Sequence, residues 1–252
     1  MTDFARQPRM PLLPDVIRIA TPEEADAIAR LIAAAHTPLP LYQWLAPRLA
    51  TRGQILTGYH HTHLTHTMRH GTVYAYGTGH LRAVAGWLRP DAPDLPPDHD
   101  DQLHRVTGPW ANQFRNLDHI LARRHTTARR LSGGSHRLVF LAVHPRHQWH
   151  GLGSALLAHY HSKLDARGES VAVDVPDRML QDYFERHGYQ PAGKAYRVTD
   201  APHHLWPMHR PPRAKAQPPA APAASSGNHW AMPAVSTPAA PSLSADQPRT
   251  LR

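Results

Sequence analysis

Gly151 and Gly153 stand where a backbone can do chemistry. They follow Leu138-Val139-Phe140-Leu141-Ala142-Val143, an uncharged run with no breaker that reads as a buried strand. His144 and Pro145 end that strand, and Ser154-Ala155-Leu156-Leu157-Ala158 carry a helix onward from the glycines. A strand, a short loop and a helix start without Cβ atoms gather bare N–H groups and the positive end of a helix dipole at one point. That arrangement binds anions, phosphates above all. The full string Val143-x-Pro145-x-x-Gln148-x-x-Gly151-x-Gly153 is far more specific than a bare Gly-x-Gly. A second chemical group is Asp174, the one charge in Val171-Ala172-Val173-Asp174-Val175. A carboxylate there serves either as a proton acceptor or as a cap for the turn around Pro176. His136, between Ser135 and Arg137, is a weaker proton-acceptor candidate that reads as exposed. In the run from Tyr59 to His70, His63, His66 and His70 fall within about 60° on a helix, on the side of Tyr59. No Asp or Glu in that run orients the imidazoles, so no metal site is expected.

The loop string resembles the acetyl-coenzyme A signature of the GCN5-related N-acetyltransferases. The resemblance implies a pyrophosphate resting on the amides of Trp149, His150, Gly151, Leu152, Gly153 and Ser154, with Gln148, which opens the loop motif, also among the cofactor-binding residues. It also implies that the pantetheine arm and thioester run along Leu141, Ala142 and Val143, where backbone amides polarise the carbonyl. Ile17-Arg18-Ile19-Ala20-Thr21, His70-Gly71-Thr72-Val73-Tyr74, Phe184-Glu185-Arg186-His187-Gly188-Tyr189 and Leu205-Trp206-Pro207-Met208-x-Arg210 extend the likeness over about 190 residues. In layout it is closest to the branch containing puromycin N-acetyltransferase. That branch commonly has Glu at the position of Asp174, which makes Asp174 the candidate base. The family's catalytic Tyr corresponds to Phe184, with Tyr183 one place earlier. Phe184 is therefore expected beside the thioester, and Tyr183 or water is expected to protonate the departing thiolate. The implied function is acetyl transfer from acetyl-coenzyme A to a primary amine, with a small molecule favoured as acceptor. A protein amine and a non-catalytic acyl-coenzyme A-binding protein are the rival readings. The resemblance allows a homodimer, and it places the histidine face at the border of the acceptor cleft.

The elements that must hold these groups follow from pattern. Asp15–Ala20 is a short strand. Thr21-Pro22-Glu23-Glu24 is a capping box opening a helix to about Ala35, with Ala25, Ile28, Leu31 and Ile32 on one side. His36–Pro47 reads as a turn with apolar anchors, followed by a helix from about Arg48 to His70. Two strands around Thr78-Gly79 form a hairpin, and residues 90–100 read as a Pro- and Asp-rich loop. A helical stretch from Asp101 to Arg130 is interrupted at Gly108-Pro109, and its Arg123, Arg124, Arg129 and Arg130 read as a solvated helix end. Strand 136–143, helix 151–167, strand 170–175, helix 178–187 and extended segments near 193–199 and 203–208 complete the order. The expected fold is α+β (mixed α/β): a central mixed, mostly antiparallel sheet flanked by helices.

Composition sets the outer limits. Residues 15–210 form the expected domain, with a loose arm at 1–14 and a Pro/Ala-rich disordered tail at 211–252. There is no cysteine, which removes disulfides and thiolate metal sites. No secretory or membrane-spanning apolar run is apparent, so a soluble, cytoplasmic protein is expected. The formal charge of +9 suits a polyanionic cofactor, and no nucleic-acid-binding module accompanies it.

Overall fold

The computed structural model describes residues 16–78, 80–132, 134–198 and 202–213. The arm at 1–14 and all of the tail from 214 lie outside the described residues. The described residues include 211–213, where the Arg213 N–H donates to Asp165 Oδ1 at 2.8 Å.

The described strands are β1 (Ile17–Ile19), β2 (Gly71–Tyr76), β3 (Ala83–Leu88), β4 (His136–Val143), β5 (Val171–Val175), β6 (Gln190–Pro191), β7 (Tyr196–Arg197) and β8 (His204–Arg210). They form one sheet in the order β1-β2-β3-β4-β5-β8-β6, with β7 also pairing β8. Every pairing is antiparallel except β4 with β5. The helices are α1 (Ala25–His36), α2 (Pro40–Leu45), α3 (Leu49–His70), α4 (His99–Thr107), α5 (Ala111–Ser132), α6 (Leu152–Arg167) and α7 (Arg178–Glu185). Among the described residues no helix is long and apolar enough to cross a membrane.

Strand β3 is buried along its whole length, and this explains the layering. On one face, Ile28 and Ile32 of α1 and Leu64 of α3 pack against Val84, Phe140 and Ala142. On the other, Leu156, Leu157 and Tyr160 of α6 and Phe184 of α7 pack against Ala85, Trp87, Leu138 and Val173. Trp87 is fully buried and stacks on Tyr160 with ring centroids 4.2 Å apart. Helices α2, α4 and α5 gather a third cluster around Leu45, Leu103, Phe114 and Leu117. Arg210 closes the end of β8 onto α6 through two bonds to Asp165, at 2.8 and 2.7 Å.

Local chemistry explains where expectation and structure differ. The Glu24 carboxylate accepts from the Thr21 N–H at 3.0 Å, but the first turn, Pro22–Glu24, is 3₁₀ before α1 begins. The segment expected as a turn contains α2, because Pro40 presets the first helical φ and Leu41 and Leu45, one turn apart, are both buried. The long middle helix breaks where expected: Gly108–Trp110 is a 3₁₀ turn between α4 and α5. Helix α4 starts at His99, inside the segment expected as a loop.

Two irregularities shape the site. Gly86 pairs with Phe140 and Trp87 with Leu138, leaving Val139 as an extra residue in β4. This β-bulge turns Val139 and Phe140 toward the same face. A Cβ on Gly86 would run into the Phe140 ring, so glycine is required there. Strands β4 and β5 pair only at His136–Val171 and Arg137–Ala172 and then separate. From Leu138 onward, the β5-facing edge of β4 carries backbone N–H and C=O groups with no strand partner.

Candidate functional site

The separation of β4 from β5 makes a cleft, and the glycine loop lies at its mouth. Trp149 and Gly151 both adopt left-handed backbone, at φ of 65° and 78°. Such a conformation is unfavourable for Trp and marks a loop held in shape by its surroundings. His150 Nδ1 lies 2.7 Å from the Gln148 carbonyl, and Gln148 Nε2 donates back to the Val143 carbonyl at 3.2 Å. These bonds tie the loop to the end of β4. Helix α6 then begins at Leu152, so the N–H groups of its first turn have no carbonyl a turn earlier to meet. A Cβ on Gly151 would meet nothing within 4 Å, so the approach to those amides is open. Trp149 is almost wholly exposed.

Around Gly153 three of the residues singled out in the sequence come together. A Cβ placed there would lie 2.9 Å from Tyr183 Oη, 3.5 Å from Val143 Cγ2 and 3.8 Å from Leu141 Cδ2. Leu141 and Val143 face α6 and α7, whereas Ala142 points to the α1 side. Tyr183 stands at the cleft with Ser154 as a hydrogen-bond partner. Burial pushes the Tyr183 phenol above its usual value, more than the Ser154 hydrogen bond lowers it, so the proton stays on oxygen at neutral pH. Phe184 is buried in the core, edge-on to Tyr183 and Tyr189. The two neighbours thus face different ways: Tyr183 toward the cleft, and Phe184, expected beside the thioester, into the core.

Asp174 lies on the opposite face of the sheet. It is nearly buried, with His125 Nε2 at 3.1 Å from Oδ2 and Arg124 Nε at 4.0 Å from Oδ1. Burial alone would raise the Asp174 carboxyl, but the hydrogen bonds of His125 and Tyr196 and the charge of Arg124 together outweigh it, and the group stays ionised. Burial also holds His125 below its ordinary value, against the pull of Asp174, so the ring is neutral at pH 7. Its Nε2 faces the carboxylate, which places the proton there and leaves the Nδ1 lone pair open. His125, Asp174 and Arg137 line two cavities of about 460 and about 100 Å³ that share these residues as wall. The smaller is also lined by His63, His66 and Val139.

The remaining sequence candidates are placed as follows. His136 is buried rather than exposed, its Nδ1 2.9 Å from the Tyr160 hydroxyl and its Nε2 3.1 Å from Glu169. It holds α6 to β4 on the α6 side of the sheet and does not face the cavity. The histidine run does not gather its three rings: His66 pairs with His70, while His63 turns to Asp118 of α5. Asp118 is buried and accepts from Tyr59 at 2.8 Å, with His63 at 3.2 Å and His99 at 2.8 Å. The carboxylate missing from the run thus arrives from another helix. Burial pushes Asp118 up, but the charges and hydrogen bonds of His63 and His99 hold it well below the usual carboxylate range. The basic stretch of α5 is only partly a solvated end, since Arg124 stacks on the Tyr196 ring at 3.8 Å. His125 and Arg137 are the residues that sequence reading passed over. Helical spacing was the available signal for His125, which shares a face with Leu117, Leu121 and Ala128.

A splayed parallel pair in an otherwise antiparallel sheet, with a glycine loop over one side and a polar cavity on the other, defines an acyltransferase architecture. The family described as Acetyltransferase (GNAT) family matches residues 42–189, and the chain belongs to it. Solved structures of similar fold include one described as histone acetyltransferase HPA2 and related acetyltransferase, from Corynebacterium glutamicum. It is 19% identical, with 81% of this chain and 100% of that chain covered at a TM-score of 0.60. Another is arylalkylamine N-acetyltransferase 2 from Aedes aegypti, at 15% identity, with 80% and 100% covered and a TM-score of 0.58. Agmatine N-acetyltransferase is a third, at 18% identity, with 77% and 97% covered and a TM-score of 0.50. At these identities the likeness is one of fold. Comparison with curated proteins yields no match.

Proposed function

We propose that this protein transfers an acetyl group from acetyl-coenzyme A to the primary amine of a small molecule. The observation that carries the reading is the cleft between β4 and β5, with the Gly151 loop on one face of the sheet and the His125–Asp174 pair on the other. The resemblance of the sequence to the puromycin N-acetyltransferase branch supports a small acceptor, and so does a cavity of about 460 Å³, within the usual range for small-molecule sites.

The residues divide the work by position. The amides of residues 149–154 and the start of α6 hold the pyrophosphate, and the free edge of β4 along Leu141, Ala142 and Val143 holds the arm of the co-substrate. Acetyl-coenzyme A supplies an activated acyl group as a thioester. An alkylamine arrives mostly as ammonium and needs a neutral base. In this reading His125 Nδ1 accepts that proton, and Asp174, whose carboxylate is engaged by His125, orients the ring and stabilises it once charged. Tyr183, protonated and at the cleft, donates to the departing thiolate.

Calorimetric titration with acetyl-coenzyme A tests the cofactor half of this reading. Gly151→Asp strains a left-handed backbone that Asp tolerates better than most residues, and its Cβ meets nothing within 4 Å, so the fold should hold, which the melting temperature checks. The variant sets a carboxylate against the pyrophosphate, and binding should be lost. Unchanged affinity in this variant would remove the loop from the cofactor site.

A further inference from the structure

The basic side chains lining the larger cavity differ in what they already bind. Arg89 pairs with Asp91 at 3.2 Å. Arg124 stacks on Tyr196 and approaches Asp174. Arg129 donates to the Ala92 carbonyl at 3.2 Å and lies 4.0 Å from Asp94. Arg137 is different: among the described residues its guanidinium has neither a hydrogen bond nor an ion pair, although it lines both cavities. Burial draws it below the ordinary arginine value, and Asp174, Asp94 and Asp118, which pull the other way, do not make up the difference. A desolvated cation without a partner gains from any anion brought to it, and the planar fork of Arg matches a carboxylate or phosphate with two parallel bonds. The larger cavity's wall holds four arginines against two aspartates, so an anion entering it is attracted as well.

We propose that Arg137 anchors an oxyanion, carboxylate or phosphate, carried by the acceptor amine itself. The acceptor class is then an amino acid or an amino-phosphate rather than a simple amine. Arg137 sits two residues before the bulge residue Val139, on the strand that bounds the cleft, and shares both cavities with His125 and Asp174. A zwitterionic acceptor meets both poles of this wall: its oxyanion at Arg137, its amine at the His125–Asp174 pair. The inference rests on the function proposed above for the placement of the amine, but not for the anion site itself.

The test pairs each of a panel of amino acids with the amine left by its decarboxylation, and O-phosphoethanolamine with ethanolamine. Turnover is read as thiol release and binding by calorimetry, in wild type, Arg137→Met and Arg137→Lys. The anion-bearing member of an accepted pair should have a kcat/KM about tenfold or more above its partner, the worth of one hydrogen-bonded ion pair. The preference should vanish in Arg137→Met and fall partway in Arg137→Lys, with acetyl-coenzyme A affinity unchanged in both. Which arm shows it, carboxylate or phosphate, identifies the oxyanion. Equal use of both members by wild type, or a preference unaltered in Arg137→Met, would overturn the proposal. Should no pair release thiol, Arg137-dependent binding of the acids would keep the anion site and remove the acetyltransfer reading. Absence of such binding as well would remove both.

Discussion

Buried neutral histidines make this fold sensitive to mild acid, and the size of the effect follows from the structure. Burial lowers His36 from 6.5 to about 4, His66 to about 4 and His161 to about 3. His36 Nδ1 lies 3.1 Å from His60 Nε2, and His161 Nε2 lies 3.1 Å from the Tyr189 hydroxyl. Below 6.5 the unfolded chain takes up protons that these folded rings refuse. Stability therefore falls as pH falls through the window from 6.5 toward 4. Between neutral pH and pH 5 each ring forgoes roughly 1.5 units at about 1.4 kcal/mol per unit, or about 2 kcal/mol. Three rings give about 6 kcal/mol, comparable with the whole stability of many domains. Urea unfolding at pH 7.5 and pH 5.0 reads this directly. His161→Gln should lower stability at pH 7.5 but shrink the difference between the two pH values by about 2 kcal/mol. Equal stability of wild type at both pH values, or an undiminished difference in His161→Gln, would refute the reasoning.

Two further outcomes concern catalysis. His125→Gln should lower kcat by about 10²- to 10⁴-fold with acetyl-coenzyme A affinity unchanged, and the acid limb of the wild-type kcat/KM profile should lie below pH 6.5. A limb above pH 7 would assign the base elsewhere. Phe184→Tyr should destabilise the protein by about 1–3 kcal/mol, since its hydroxyl enters the core, whereas Tyr183→Phe should keep its melting temperature and lose less than tenfold in turnover, because a thiolate, with a thiol pKa of about 8.5, also leaves with water as the proton donor. A thousandfold loss in Tyr183→Phe would make its hydroxyl indispensable.

The fold was legible where a local pattern decides the outcome. The uncharged run of β4, the helix after Gly151 and the break at Gly108-Pro109 are each written in a few neighbouring residues. Helix α2 was not legible in this way, because Pro38, Pro40 and Pro47 suggest a turn until Leu41 and Leu45 are seen to be buried together. The glycine loop and its neighbours on β4 came from a resemblance, and Leu141, Val143, Gly153 and Tyr183 do lie together. The facing of Tyr183 and Phe184 depends on how α7 packs against Tyr189 and α6, which no spacing within the helix states. His125 and Arg137 escaped notice for a related reason. Each looks like an ordinary surface base in its own segment, and only the approach of α5 to β4 and β5 sets them around Asp174.

Transfer stoichiometry tests the central claim most directly. Purified protein is given acetyl-coenzyme A and the amine panel, and free thiol and acetylated amine are quantified in the same samples by absorbance and mass. One acetylated amine per thiol released is expected, with both products lost together in Gly151→Asp and both strongly reduced in His125→Gln. Thiol release without acetylated amine, or equal product from all three proteins, would contradict an acetyltransferase working through this cleft.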